Sequence, residues 1–450
     1  MDPGPRRNRP DDCCDASREY RAGGSSPGRG SHGVKPLPLK EAVSTVVDSV
    51  APLAAVSVPR DEALGMVLAE DIIAPENVPI SENSAMDGFA VRSSDLRNAS
   101  VDSPRELDLL PEMIAAGPAP NLAIGAGTTR RIMTGAVIPS GCDAVVPVEK
   151  AEVLGDTVRF TAPAAPGEHI RPAGGDIEEG SVALEKGTLL DPASIGVAVL
   201  CKRTRLSVVR RPRVAVLTTG DEVIGAEEPM EAGLVRNSNS PALIARLREE
   251  GYETVDLGVA RDETRDLLEK ITRGMESDVL ITTGGVSKGE RDYLREVFES
   301  AGIKLKFAGV RVKPGKPIVF GLFSEGVVFG LPGNPVSALT GYELFVRPAL
   351  RKISGHRCLF PRQIVVRSGF DFPRKTGRSE FLRVRLRGSE EDGSWVAELT
   401  SPRQGSQVLS SFVGAEALLY IEPDKKEIRA GEEVLCLLIR DPGATDFSLS

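Results

Sequence analysis

Arg213-Val-Ala-Val-Leu-Thr-Thr219 is an unbroken apolar run that ends in Gly220-Asp221-Glu222. Such a run, rich in valine and closed by a glycine turn, predicts a strand buried on both faces. Downstream, helical and apolar segments alternate. Residues 241–250 read as a helix, with Ser240 as N-cap, Pro241 at the first position and Gly251 just past the end. A strand follows at 254–259, then a helix at 263–275 with Leu267, Leu268 and Ile271 on one face. A strand at 278–283, a helix at 292–301, strands at 317–322 and 327–330 and a closing helix at 336–353 complete the series. This alternation predicts a parallel sheet with crossover helices.

The polar residues of this region collect where its strands end. They are Asp221 and Glu222 after the first strand, Arg261-Asp262 after the second, and Gly284-Gly285-Val286-Ser287-Lys288-Gly289-Glu290-Arg291-Asp292 after the third. Further on come Lys313-Pro-Gly-Lys316-Pro317 and Leu331-Pro-Gly333-Asn334-Pro335. Open α/β sheets bind ligands outside the carboxyl ends of their strands. Gly284, Gly285 and Gly289 let backbone N–H groups approach an oxyanion, and Lys313 with Lys316 can neutralise a dianion. Asp221, Glu222, Asp262 and Asp292 are hard oxygen donors suited to Mg²⁺. Together these residues point to metal-assisted phosphoryl or pyrophosphate chemistry. Walker A and dinucleotide glycine signatures are both missing from the sequence.

Each residue also has a plain reading. Asp262 fits a helix cap, Asp87-Gly88 a tight hairpin turn, Lys313 and Lys316 solvated loop charges, and Ser287 and Ser406 turn residues. His32, His169 and His356 stand in no triad or metal spacing. Clustering at strand ends, more than any single residue, favours a site.

The flanks differ from this centre. Residues 35–207 open with a helical pattern at 39–53 and continue as β-like runs at 85–91, 128–132, 144–148 and 157–160, suggesting a β-rich region of two subdomains. Residues 356–450 return to short β runs that fit a small barrel. The first 34 residues carry Arg, Gly, Pro and Ser with few apolar groups, and read as a disordered tail. Asp11, Asp12, Asp15 and Glu19 argue against a transit peptide there, and Cys13-Cys14 is thin evidence for lipidation. The expected organisation is thus a tail at 1–34, a β-rich region at 35–207, an α/β domain at 208–355 and a β-barrel domain at 356–450.

Composition sets outer bounds. The 450 residues are 41% hydrophobic and 27% charged, ordinary for a globular protein of several domains. A net charge of −8 argues against bulk nucleic-acid binding. Six cysteines without Cys-x-x-Cys spacing fit reduced thiols better than a disulfide frame or zinc site. With no long apolar run, the expectation is a cytoplasmic protein that binds no membrane.

Five segments in order carry a family resemblance: Asn83-Ser-Ala-Met-Asp-Gly-Phe-Ala90, Arg131-Ile-Met-Thr-Gly-Ala136, Thr218-Thr-Gly-Asp-Glu222, Gly284 to Asp292, and Lys313-Pro-Gly-Lys-Pro317 with Leu331-Pro-Gly-Asn-Pro-Val-Ser337. Over about residues 36–440 the chain resembles the molybdopterin molybdenumtransferases, which include MoeA and the gephyrin E domain. The resemblance implies a molybdenum insertase that places molybdate into adenylylated molybdopterin with release of AMP and help from Mg²⁺. It implies a central three-layer α/β/α domain like that of MogA. It also implies a homodimer whose cleft joins the central domain of one subunit to the β-rich region of the other.

Family roles then fall on matching positions. The catalytic set would be Asp87, Thr134, Glu222, Asp262 and Asp292, the last three also holding the metal. Adenylylated molybdopterin would meet Asp176, Asp221, Gly284, Gly285, Ser287, Gly333, Asn334 and Pro335. Molybdate would meet Lys313, Lys316, Ser287, Arg383 and Ser406. Pro402-Arg403 stand where relatives often carry Gly-His, a departure that bears on the placement of Ser406. No adenylyl-transferring G domain is recognised in the sequence, so a separate protein would supply the adenylylated substrate. An adenylyltransferase and a receptor-clustering scaffold are the rival readings; assaying AMP attachment against AMP release, or receptor-loop binding, separates them.

Overall fold

A computed structural model describes residues 35–118, 122–285, 291–388 and 394–440, residues 291–295 by their backbone alone. The run Arg213–Thr219 is an interior strand, second from one edge, of a six-stranded sheet, its residues after Arg213 all buried. Parallel neighbours flank it, Glu253–Ala260 on one side and Val279–Thr283 on the other, followed by Gly326–Leu331. Val319–Phe323 runs antiparallel both to Gly326–Leu331 and to the edge strand Lys304–Ala308, which therefore points the same way as the other four. The expected common direction therefore holds for five strands and fails at Val319–Phe323. There a short hairpin joins Val319–Phe323 to Gly326–Leu331, and a hairpin can only link antiparallel strands.

Both faces of this sheet are covered. Val214, Val216, Ile281 and Phe329 face a core that also takes in Leu243, Leu247 and Phe345. Ala215, Leu217 and Leu280 face a second core with Leu267, Ile271 and Phe298. Phe320 and Phe329 stack at 5.1 Å on the first side. That core extends beyond the sheet to Ala42, Val43 and Val46 of the helix Leu39–Asp48 and to Phe381 and Leu418 of the C-terminal part. The N-terminal helix, the central sheet and the C-terminal part thus share one apolar interior.

The C-terminal strands form a closed ring. Ser379–Gly388 pairs with Trp395–Leu399 on one side and Ala417–Ile421 on the other, and Gln363–Ser368 and Glu433–Leu438 close the circuit. The N-terminal region is β-rich, with a six-stranded sheet and several two-stranded pairs among the described residues. It also holds a helix that the sequence reading overlooked, Pro192–Leu200. Asp191 caps it, its carboxylate accepting from the Ser194 N–H and hydroxyl. Its apolar content lacks helical periodicity, which hid it.

Two helix boundaries move. The helix expected at 241–250 begins at Asn239. Ser240 is therefore not its N-cap: the hydroxyl turns inward and bonds Thr218 Oγ1 at 2.5 Å. The closing helix runs Pro335–Gly341, widens to a π turn at Tyr342–Val346, and resumes as Arg347–Ile353. Glu343 in the π turn is buried between Arg246 (3.1 Å) and Arg347 (2.9 Å), and Arg246 also donates to the Ile439 carbonyl. This ion network ties the central domain to the end of the barrel.

His356 follows that helix. Burial, with the charges of Arg351 and Arg211, lowers its pKa from 6.5 to about 4. A base whose folded pKa lies below its unfolded value contributes its full share above the unfolded pKa. That share is lost as pH falls from about 6.5 toward about 4. The melting temperature of the parent should therefore drop more between pH 7.5 and 5 than that of His356→Gln. Equal drops would remove this histidine from the pH dependence.

Candidate active cleft

The strand ends open onto a cleft of about 640 Å³ lined by Thr218, Thr219, Glu222, Asn237, Ser238, Asn239, Gly284, Gly285, Gly333, Asn334 and Pro335, among others. Its floor is a close approach of backbones. Gly284 has φ +93°, and a Cβ there would lie 2.3 Å from the Thr219 carbonyl oxygen. Only glycine tolerates both the torsion and the contact. Asn239 braces the opposite wall by donating from Nδ2 to the Gly333 carbonyl at 2.8 Å.

Glu222 lines the cleft, and Asp221 and Asp262 stand near it without lining the cavity. The Asp262 N–H donates to Asp221 Oδ1 at 3.1 Å, so Asp262 is tied to Asp221 rather than capping the next helix, whose N-cap is Glu263. Partial desolvation raises the Asp262 pKa, and the charges of Asp221 and Glu222 add to the rise. Among the described residues no three acidic, histidine or cysteine side chains form a group set to hold a metal ion. Asp292 lies on the helix Arg291–Ser300, but its side chain falls outside the described residues, as does all of Ser287.

A second cavity, of about 520 Å³, adjoins the first and shares Pro317, Pro332 and Asn334 with it. Lys313, Lys316, Arg378, Ser337, Ser406 and Glu380 line it. Ser406 is held to the shared wall by Asn334, whose Nδ2 donates to its hydroxyl at 3.1 Å. The strand Val312–Lys313 pairs with Ser379–Gly388 of the barrel, so the cavity straddles two domains. Here the sequence reading needs a correction. Arg383 is fully buried inside the barrel, donating to Ser411 Oγ, the Phe381 carbonyl and the Gly405 carbonyl. It lines neither cavity, and burial lowers its pKa to about 10. Arg378, five residues earlier in a loop, supplies the cavity's arginine.

The N-terminal candidates stand apart. Asp87 Oδ1 accepts from the Thr134 N–H at 2.7 Å and its hydroxyl at 2.8 Å, and these bonds lower the Asp87 pKa. Asp87-Gly88 is not a two-residue hairpin turn, because Asn83–Ser84 pairs with Ile170–Arg171 while Gly88–Val91 pairs elsewhere. Asp87, Thr134 and the exposed Asp176 line neither cavity.

The sequence matches three family descriptions end to end: "MoeA N-terminal region (domain I and II)" over residues 37–201, "Probable molybdopterin binding domain" over 215–352 and "MoeA C-terminal region (domain IV)" over 365–439. The molybdopterin molybdenumtransferase of Staphylococcus aureus strain COL is 32% identical over 412 residues, 91% of this chain and 97% of its own length. The chain belongs to the MoeA family of molybdopterin molybdenumtransferases. Molybdopterin molybdenumtransferase 2 of Mycobacterium tuberculosis is 35% identical over 387 residues, covering 84% of this chain and 94% of that one. The MoeA crystal structure from Pyrococcus horikoshii OT3 superposes with a TM-score of 0.77 at 31% identity, over 90% of this chain and all (100%) of that one. As a MoeA-family member the chain is a transferase of molybdenum cofactor biosynthesis, with a MogA-like α/β domain, a β-rich N-terminal region and a C-terminal β-barrel. Among its described residues no helix is long and apolar enough to cross a membrane.

Polar cavity-lining residues without a role assigned from the sequence are Asn237, Ser238 and Asn239 in the first cavity and Ser337 and Arg378 in the second. The polar run Arg236-Asn-Ser-Asn239 just before an apolar helix was the available signal for the first group. Ser337 stood within the quoted Leu331–Ser337 segment without being singled out.

Proposed function

We propose that this protein inserts molybdate into adenylylated molybdopterin and releases AMP. The observation that carries the reading is the pair of adjoining cavities. A glycine-floored cleft sized for a pterin derivative, with Glu222 and Arg236 as its charged lining residues, shares Asn334, Pro317 and Pro332 with a cavity bearing three cationic side chains. An oxyanion held by Lys313, Lys316 and Arg378, with the Ser337 and Ser406 hydroxyls, would lie beside the bound pterin. Holding both reactants in contact supplies much of what such a transfer needs.

In the first cleft, Gly284 and Gly285 admit the substrate's phosphates close to the backbone. Gly333, Asn334 and Pro335 form the wall nearest the oxyanion. Asp221 orients Asp262 through the bond to its N–H. Glu222 and Asp262 supply hard oxygens whose mutual repulsion a cation would relieve, so the donor set suits Mg²⁺ shared with substrate phosphates and water. When bound, that ion would neutralise charge on the adenylate's pyrophosphate linkage. The family pattern gives Asp292 a metal-binding role and Ser287 a role in holding substrate and oxyanion.

Asp87, Thr134 and Asp176 reach neither cavity within one chain, which supports their acting on a partner's cleft in a homodimer. Mixing Asp87→Ala with Lys316→Ala chains should then restore activity to about a quarter of normal sites, because random pairing makes about half the dimers mixed, each with one intact cleft. No recovery after proven subunit exchange would refute the shared cleft. A separate adenylyltransferase of the G-domain type would supply the substrate.

A further inference from the structure

The oxyanion cavity contains a carboxylate. Glu380 lines it beside Lys313, Lys316 and Arg378. Its side chain is 4% exposed, and Oε1 lies 2.7 Å from Lys313 Nζ. A negative group in the wall of an anion pocket works against the ligand unless something is gained by it. Lys313 and Glu380 are also register partners across the strand pairing that joins the central domain to the barrel.

Glu380 cannot swing away. Its Oε2 lies 3.1 Å from Nε of Arg374, whose side chain is 1% exposed. Arg374 is itself fixed, donating to the carbonyls of Glu422 and Arg378. A buried arginine therefore clamps the carboxylate, and the carboxylate occupies one face of the Lys313 ammonium. Lys313 remains about half exposed, free to offer its other protons to the cavity. The same Arg374 holds the backbone of Arg378, so one buried ion pair organises two of the cavity's three cations.

We propose that Glu380 is a positioning residue that limits how tightly the oxyanion is held, by competing for Lys313 and lowering the cavity's positive charge. The oxyanion here is cargo to be passed to the neighbouring cleft, and a site of three uncompensated cations would retain it. This inference rests on the oxyanion reading of the cavity. It makes a prediction opposite in sign to that of a structural role, since damage to the cavity weakens binding whereas removal of a competing carboxylate strengthens it.

The test is calorimetric titration of the purified full-length chain with molybdate alone, comparing the parent, Glu380→Gln, Glu380→Asp and Lys316→Ala. Removing one nearby charge should tighten molybdate binding about 10-fold in Glu380→Gln. Glu380→Asp keeps a charge for Arg374 but draws it back by about 1.5 Å, one carbon–carbon bond, and should tighten binding by a smaller factor. If Glu380→Gln does not fold, Glu380→Asp carries the test. Parent-like or weaker binding in the folded variant overturns the assignment, provided that Lys316→Ala weakens binding as expected. Molybdate binding indifferent to Lys316→Ala would instead overturn the oxyanion reading, and this inference with it.

Discussion

Lys316→Ala is expected to raise the molybdate concentration for half-maximal insertion on the order of 10²-fold. Lys316 is exposed, lines the cationic cavity and has no ion-pair partner recorded among the described residues, whereas Lys313 shares its charge with Glu380. Its ammonium, like the Arg378 guanidinium, is thus less compensated than that of Lys313 and available to a dianion. Prolines on both sides of the loop restrict it, and Gly315 lets the backbone come close. A solvated surface lysine would behave differently, shifting the half-maximal concentration by no more than about twofold at moderate salt. The maximal rate at saturating molybdate should change far less than the half-maximal concentration, since the lysine is asked to hold the anion. A response confined to the maximal rate would assign Lys316 to the chemical step instead.

Gly284→Ala should lower the insertion rate at saturating substrates by about 10²-fold or more. The new methyl would lie 2.3 Å from the Thr219 carbonyl oxygen, which belongs to an interior strand and has little room to yield. Positive φ adds strain of about 1–3 kcal/mol. The chain relieves both by moving the turn after Val279–Thr283, which displaces the cleft floor where the substrate's phosphates are expected. Melting temperature and rate, measured together on the purified variant, separate the outcomes. A folded variant with near-parent turnover would show that this turn is remote from the chemistry.

This interior strand was legible because burial on both faces leaves an uninterrupted apolar run, and Arg213–Thr219 matches the expected limits. Ala417–Ile421 in the barrel is a similar apolar run, buried at all but one position. Where tertiary contacts override local preference, the sequence misleads. Ser240 precedes a proline and looks like a cap, yet its hydroxyl serves Thr218 on the neighbouring strand. The π turn at Tyr342–Val346 has no local marker, because it follows from burying Glu343 between two arginines that are distant or one turn away.

The candidate site divides in the same way. Glycines and lysines in tight loops announce themselves, because few other roles require that spacing. Arg378 and Arg383 are both arginines close to one strand, and only three-dimensional packing shows that Arg383 is enclosed in the barrel while Arg378 faces the cavity. Asp87 and Thr134 bond each other across 47 positions of sequence, a pairing that no local pattern encodes.

On the proposed function, molybdate transfer is coupled to cleavage of an adenylate. Its most direct test supplies the purified chain with adenylylated molybdopterin and molybdate, then counts AMP released and molybdenum bound to the pterin dithiolene. One AMP should appear for each molybdenum inserted, and AMP release should stall when molybdate is withheld. Molybdenum insertion without AMP release, or AMP attachment to free molybdopterin in its place, would contradict it.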